Sequence, residues 1–165
     1  MEPIEQRIED ELSGAGIPFE WMDCDPSLAD TANFCAHYGI DPDDSANAIL
    51  VVGKSEPPRH VLCVVLATTR LDVNGAVRRR LGTRKASFAP PETTRELTGM
   101  EIGGVTPAGL PDGLPVWVDS AVTERTRVVI GGGTRSRKIL VAPGELARLV
   151  RVEVVEGLAG PASTA

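Results

Sequence analysis

Two glycine-rich segments and one asparagine are the parts of this sequence best suited to chemistry. The segment Gly103-Gly104-Val105-Thr106-Pro107-Ala108-Gly109 joins glycines, which allow close backbone approach and positive φ, to a proline that stiffens one turn, so it can aim amide N–H groups at an oxygen. The segment Gly131-Gly132-Gly133-Thr134-Arg135-Ser136-Arg137-Lys138 joins bare backbone to two hydroxyls and three cations, the makings of a cradle for an anion or a carboxyl ester. Asn47, in the apolar stretch Ser45-Ala46-Asn47-Ala48-Ile49-Leu50-Val51-Val52, can donate and accept hydrogen bonds but supplies no charge. Neither glycine segment reads GxxxxGK[ST], and neither is a GxGxxG between a strand and a helix, which excludes a P-loop and a dinucleotide site. Taken singly, each glycine run also reads as a plain tight turn, and Asn47 as a buried amide near a strand start.

These residues need elements to hold them. Ile4, Ile8 and Leu12 recur every four residues and predict a surface helix over 4 to 13, ended by Gly14 and Gly16 and followed by an extended stretch from Ile17 to Met22. A second helix is predicted from about 29 to 38, capped by Asp30 or a neighbour and stopped by Gly39. Ile49 to Val52 and Val61 to Leu66 are apolar, β-branched runs on either side of Gly53-Lys54-Ser55-Glu56-Pro57-Pro58, and predict a buried central hairpin that carries Asn47 at its start.

Past the hairpin, Val73, Val77 and Leu81 share one face of a short helix stopped by Gly82, with arginines on the other face. Lys85 to Ala89 predicts a strand, and Pro90-Pro91-Glu92 opens a helix that Gly99 closes. Val116 to Val118, Val128 to Ile130 and Lys138 to Val141 predict strands, and Pro143-Gly144-Glu145 starts a helix with Leu146 and Leu149 inward. The alternation lacks a regular βαβ rhythm, so the fold class expected is mixed α+β. One domain over 1 to 158 is expected, with a disordered tail from Ala159 to Ala165.

Composition narrows the setting. A chain of 165 residues, 42% hydrophobic, closes a core without metals or disulfides. Cys24, Cys35 and Cys63 show no CxxC spacing, and His37 and His60 are the only histidines, so neither a structural zinc site nor a Ser-His-Asp arrangement is expected. Cys35 and Cys63 read as core thiols. No apolar run approaches a membrane span and the start lacks a signal peptide, so a cytoplasmic protein with no membrane partner is expected. Residues 1 to 56 hold 13 acids and two bases, a net of −11, whereas the remainder nets +5. Arg70, Arg78, Arg79, Arg80, Arg84 and Lys85 cluster against the single acid Asp72, either to meet a phosphate backbone or as a solvated helix face.

In order and spacing, several segments together resemble a known family. Thr31-Ala32 before a helix, the Asn47 strand, Arg70-Leu71-Asp72, Glu96-Leu97-Thr98-Gly99 running into Gly103 to Gly109, Leu114-Pro115-Val116-Trp117-Val118-Asp119, and Gly131 to Ile139 look like the YbaK and prolyl-tRNA-synthetase-associated (INS-type) aminoacyl-tRNA editing domains. The resemblance spans about residues 17 to 155. It implies a mixed, partly barrel-like β-sheet core surrounded by helices (the YbaK/ProRS-associated domain fold) and a freestanding deacylase that hydrolyses the ester of mischarged tRNA in trans. It also implies metal-free cleavage without cofactors, in which positioned water, the terminal ribose hydroxyl and loop amides acting on the oxyanion suffice. Implied as catalytic are Asn47, Gly103, Gly104, Thr106 and Gly109, and as substrate-binding Thr31, Pro107, Asp119, Gly132, Gly133, Arg135 and Lys138. Arg78, Arg79, Arg80, Arg84 and Lys85 are the expected tRNA contacts. The partners implied are the acceptor end of aminoacyl-tRNA and, as a second one, an aminoacyl-tRNA synthetase, with no DNA.

One position departs from the family pattern. Family members commonly carry a lysine where this chain has Asn47, so three readings stay open: hydrolysis through loop amides and Asn47, a non-catalytic module that binds aminoacyl-tRNA or an amino acid, or a cation supplied from elsewhere. Lys54 is a poor substitute, since seven residues of strand span roughly 23 Å. Lys138 and Arg135 are better placed.

Overall fold

A computed structural model describes residues 1–162. Helix α1 (Pro3–Gly14) starts with proline in its first turn and a reciprocal capping box between Glu2 and Glu5, and buries Glu5, Ile8 and Leu12. It leads into β1 (Phe19–Asp23). Helix α2 (Thr31–Tyr38) ends on Gly39 at φ 69°, the left-handed cap expected of it. The predicted hairpin is β2 (Ala46–Gly53) and β3 (Arg59–Leu66), in antiparallel register that sets Asn47 opposite Val65.

Next come β4 (Thr69–Leu71), a π-turn over Val73–Val77, α3 (Arg78–Leu81), β5 (Ala86–Phe88) and α4 (Pro91–Thr98). The π-turn is held by the Asp72 carboxylate, which accepts from the N–H groups of Gly75 and Ala76. The chain then forms β6 (Val116–Asp119), α5 (Ser120–Thr123), β7 (Val128–Gly131), β8 (Arg137–Val141), a 3-10 helix over Pro143–Arg148, β9 (Val152–Val155) and β10 (Ala159–Pro161).

Among the described residues these strands form three sheets. The largest has the order β5-β2-β3-β6-β9, with β3 at its centre and residues Val61 to Val64 fully buried. β2 and β3 are antiparallel, whereas β6 runs parallel to both β3 and β9. A second sheet has the antiparallel order β1-β8-β7, and a two-stranded ribbon pairs β10 with β4. One parallel bridge, Ser45 to Val129, ties the first two sheets together, and among the described residues they do not close into a barrel. The architecture is mixed α+β, as expected. No described helix is long and apolar enough to cross a membrane.

The expected disordered tail from Ala159 is corrected for its first residues, which form a strand. Ala159 to Pro161 pair with Leu71 to Thr69, because Leu158 is buried in the core and pins the segment against the ribbon. Ser163 to Ala165 lie outside the described residues.

Helix α1 backs both glycine-rich loops. Ile8 packs where a Cβ on Gly109 or Gly133 would stand, so those positions accept only glycine at this spacing. The buried Glu5 carboxylate accepts from Thr134 Oγ1 and lies 3.6 Å from Arg137 Nε. A buried carboxylate without such partners would be strongly destabilising.

Candidate functional site

A pocket of about 390 Å³ opens where the two large sheets meet. Its floor is the exposed edge of β2. Strand β5 covers only Val51 to Gly53, which leaves Ala46 to Leu50 bordering the pocket. Ser45 C=O accepts from Ala67 and Leu50 C=O from Ala89, so the ladder alternation turns odd residues to β3 and even ones outward. The N–H and C=O of Ala48 therefore face the pocket as groups of a strand edge, with no partner among the described residues.

Asn47 lies half-buried beside them. Thr31, in the first turn of α2, donates its hydroxyl to Asn47 Oδ1 at 2.5 Å. With its carbonyl oxygen occupied, the amide presents its NH₂ as the free half.

Across the pocket stands Lys138, on β8 and only 7% exposed. Its Nζ donates to the Gly103 carbonyl at 2.6 Å and lies 5.6 Å from the centre of the Phe34 ring. Among the described residues no carboxylate lies within ion-pair distance of it. Burial holds its pKa below the ordinary lysine value of 10.5, with a smaller contribution from the Arg135 charge. A buried ammonium with one hydrogen bond and no counterion is expensive to keep unless a ligand completes it.

The glycine-rich loops meet each other more than they meet the pocket. Gly133 N–H donates to Gly104 C=O at 2.7 Å and Glu101 N–H to Gly133 C=O at 3.0 Å, which zips the two loops together. A Cβ on Gly104 would stand 2.5 Å from Thr134 O, so bare backbone is what permits the clasp. Of the first loop, Gly103 and Val105 reach the pocket; of the second, Gly131 does, with Lys138 beyond it. Among the described residues the N–H groups of Gly103 and Val105 have no hydrogen-bond partner in the protein.

Several expected site residues sit elsewhere. Gly104, Thr106, Pro107 and Gly109 are buried behind the pocket lining, where Thr106 Oγ1 has no partner and Gly109 packs on Ile8. Gly132 and Gly133 serve the loop clasp and the packing on Trp21, Ile4 and Ile8. Arg135 is a rim staple: its guanidinium donates to Pro26 C=O, Ile102 C=O and Asp30, while its N–H donates to Glu101. Asp119, 3% exposed, accepts from Leu158 N–H at 3.0 Å and borders no part of the pocket.

The basic cluster also divides. Arg78 is committed to the carbonyls of Asn74 and Thr83, and Arg80 is ion-paired with Glu153 and lies 5.1 Å over Trp117. Arg79, Arg84 and Lys85 are exposed. All three cysteines are free and buried, and burial pushes the Cys63 thiol up to about 12, which leaves it inert.

The pocket residues missed in sequence include Phe34, Ala48, Phe88 and Ile102. Nothing in residue type marks Ala48, whose contribution is backbone alone. Phe88 carried a signal, as an aromatic near the end of a short strand followed by two prolines.

Comparison with known proteins agrees with this fold. A solved structure of a candidate trans-editing enzyme for prolyl tRNA synthetase superposes with a TM-score of 0.80 at 27% identity, covering 94% of this chain and 97% of that one. A hypothetical protein of known structure gives a TM-score of 0.83 at 21% identity, over 93% of this chain and 99% of that one, a likeness of fold. The sequence profile of the aminoacyl-tRNA editing domain matches residues 25–149, which contain the β2 edge, both glycine-rich loops and Lys138. The chain belongs to the aminoacyl-tRNA editing domain family.

Proposed function

We propose that this protein is a single-domain aminoacyl-tRNA deacylase that acts in trans on mischarged tRNA in the cytoplasm. The observation that carries the reading is the convergence on one pocket of the Asn47 amide, the unpartnered N–H groups of Gly103 and Val105, and the ammonium of Lys138. These are hydrogen-bond donors on pocket-lining residues, of the kind that stabilises an ester carbonyl as it gains negative charge. The outward carbonyl of Ala48 suits an α-ammonium group.

Apart from Lys138, the described pocket lining holds one titratable side chain, Asp30, which is bound to Arg135. The pocket is thus poor in candidates for a general base. An aminoacyl ester is already reactive, and its neighbouring ribose hydroxyl can help to orient the attacking water. In this reading Lys138 supplies from β8 the charge that Asn47 does not supply from β2.

A deacylation assay on a panel of mischarged tRNAs tests the proposal. Hydrolysis is expected for at least one of them, and Lys138→Met is expected to lower kcat/KM on the order of 100-fold, as for loss of one oxyanion donor. Asn47→Lys introduced into that variant is expected to restore much of the loss by returning a cation to the same pocket. A non-catalytic module that binds aminoacyl-tRNA is the second reading. It is favoured by the Thr31 bond that occupies Asn47 Oδ1, and complete inactivity with retained binding would establish it.

A further inference from the structure

The pocket has a neighbour. Phe88 ends β5, the edge strand of the large sheet, with 58% of its surface exposed. It borders the pocket at the β2 edge and also a second cavity of about 460 Å³, whose other walls include Arg70, Asn74 and Gly160. The one lining residue that the two cavities share is Phe88. Phe88 is the only aromatic among the large hydrophobic side chains exposed on the described surface. A second of these exposed side chains, Ile102, lines the first pocket as well.

The second cavity has the polar groups of a nucleic-acid path. Arg70 is exposed and, among the described residues, makes no ion pair or side-chain hydrogen bond. The Asn74 side chain is likewise uncommitted among the described residues, since only its backbone carbonyl is used, by Arg78. Asp72, the acid of this groove, spends both carboxylate oxygens on the amides of Gly75 and Ala76, which offset its charge. A ligand that fits must offer a flat apolar face to Phe88, an anion to Arg70 and a hydrogen-bonding edge to Asn74, and it must run on into the pocket. Unpaired nucleotides have all of these in one repeating unit. An ordinary peptide lacks the regular anion and the planar face.

We propose that the groove from Phe88 to Arg70 holds the unpaired 3′ end of tRNA, with a base stacked on Phe88 and a backbone phosphate on Arg70. The proposal rests on the deacylase reading of the adjoining pocket. It adds a path by which the nucleotide chain leaves that pocket.

The test compares two substrates that share an ester but differ in nucleotide content: a mischarged tRNA, and the glycerol ester of the same amino acid, which keeps the neighbouring hydroxyl but has no base or phosphate. Phe88→Ala is expected to lower kcat/KM on the tRNA on the order of ten- to a hundredfold, with a loss on the glycerol ester at least ten times smaller. Phe88→Trp should keep activity on the tRNA near the native level, and Arg70→Ala should reduce the salt dependence of tRNA binding by about one phosphate contact. Equal losses on both substrates would make Phe88 a wall of the amino-acid pocket and overturn the proposal, as would no loss on the tRNA. If the native protein hydrolyses neither substrate, the deacylase reading fails and the groove is judged by binding alone. It stands if uncharged tRNA binds at least tenfold tighter than tRNA trimmed of its unpaired 3′ nucleotides and both substitutions erase that difference. It falls if the two tRNAs bind alike.

Discussion

Lys138, in the site proposed above, sits at a position that costs the fold stability. Its ammonium is buried with a single carbonyl partner, and desolvation depresses its folded-state pKa. The unfolded chain therefore holds this proton more tightly than the native state. The resulting penalty is fully present below the depressed pKa and fades as pH rises toward the ordinary 10.5. Lys138→Met is accordingly expected to melt at a higher temperature than the native protein near pH 7, with the gap narrowing as the buffer is made alkaline. A gap that stayed constant, or widened, with rising pH would contradict the assignment of a buried charge. Asn47 is the opposite case, a neutral group whose Thr31 bond fixes its orientation at little electrostatic cost. Both residues stand out in the sequence by type, yet their facing positions across one pocket depend on the pairing of β8 with β1 and β7, which no local pattern reveals.

At the scale of elements, the glycine-rich loops and the short strands differ most from what their sequences suggest. Composition marks the loops as sites, and the structure gives most of their glycines to packing. Gly104→Ala forces a Cβ to 2.5 Å from the Thr134 backbone, so it is expected to cost about 1–3 kcal/mol, read as a Tm lower by several degrees. Gly144→Ala meets nothing within 4 Å and should leave Tm almost unchanged. Thermal melts of the two variants side by side check both outcomes. Helix α1 was legible because burial repeats every four residues along it, and the β2–β3 hairpin because its strands are long, apolar β-branched runs. β4, β9 and β10 were not: each has three or four residues and stays partly exposed, so tertiary pairing defines it and hydropathy does not. The same holds for Val73–Val77, where the Asp72 carboxylate draws the amides of Gly75 and Ala76 into a π-turn that helical spacing alone would read as α.

For the whole molecule, the charge asymmetry of the sequence resolves into committed and free cations. Arg78 and Arg80 hold their own neighbourhood together, whereas Arg79, Arg84 and Lys85 point outward. Replacing the outward three with alanine is expected to weaken tRNA binding and flatten its salt dependence by about three phosphate contacts while leaving Tm within a degree or two. Replacing Arg78 and Arg80 should instead lower Tm, and affinity only secondarily. Salt-dependent binding isotherms and melts on both variants separate the two effects. The position of α1 bears on how much of the chain is needed to fold. The family profile begins at residue 25, yet α1 and β1 precede it and supply Glu5 and Ile8 behind the loops and the ladder partner of β8. At the other end, β9 and β10 follow residue 149. The span recognised by profile is thus smaller than the unit that packs together. A polypeptide cut to residues 25–149 is expected to show no cooperative melting transition, because its β8 edge and its glycine loops would stand against solvent.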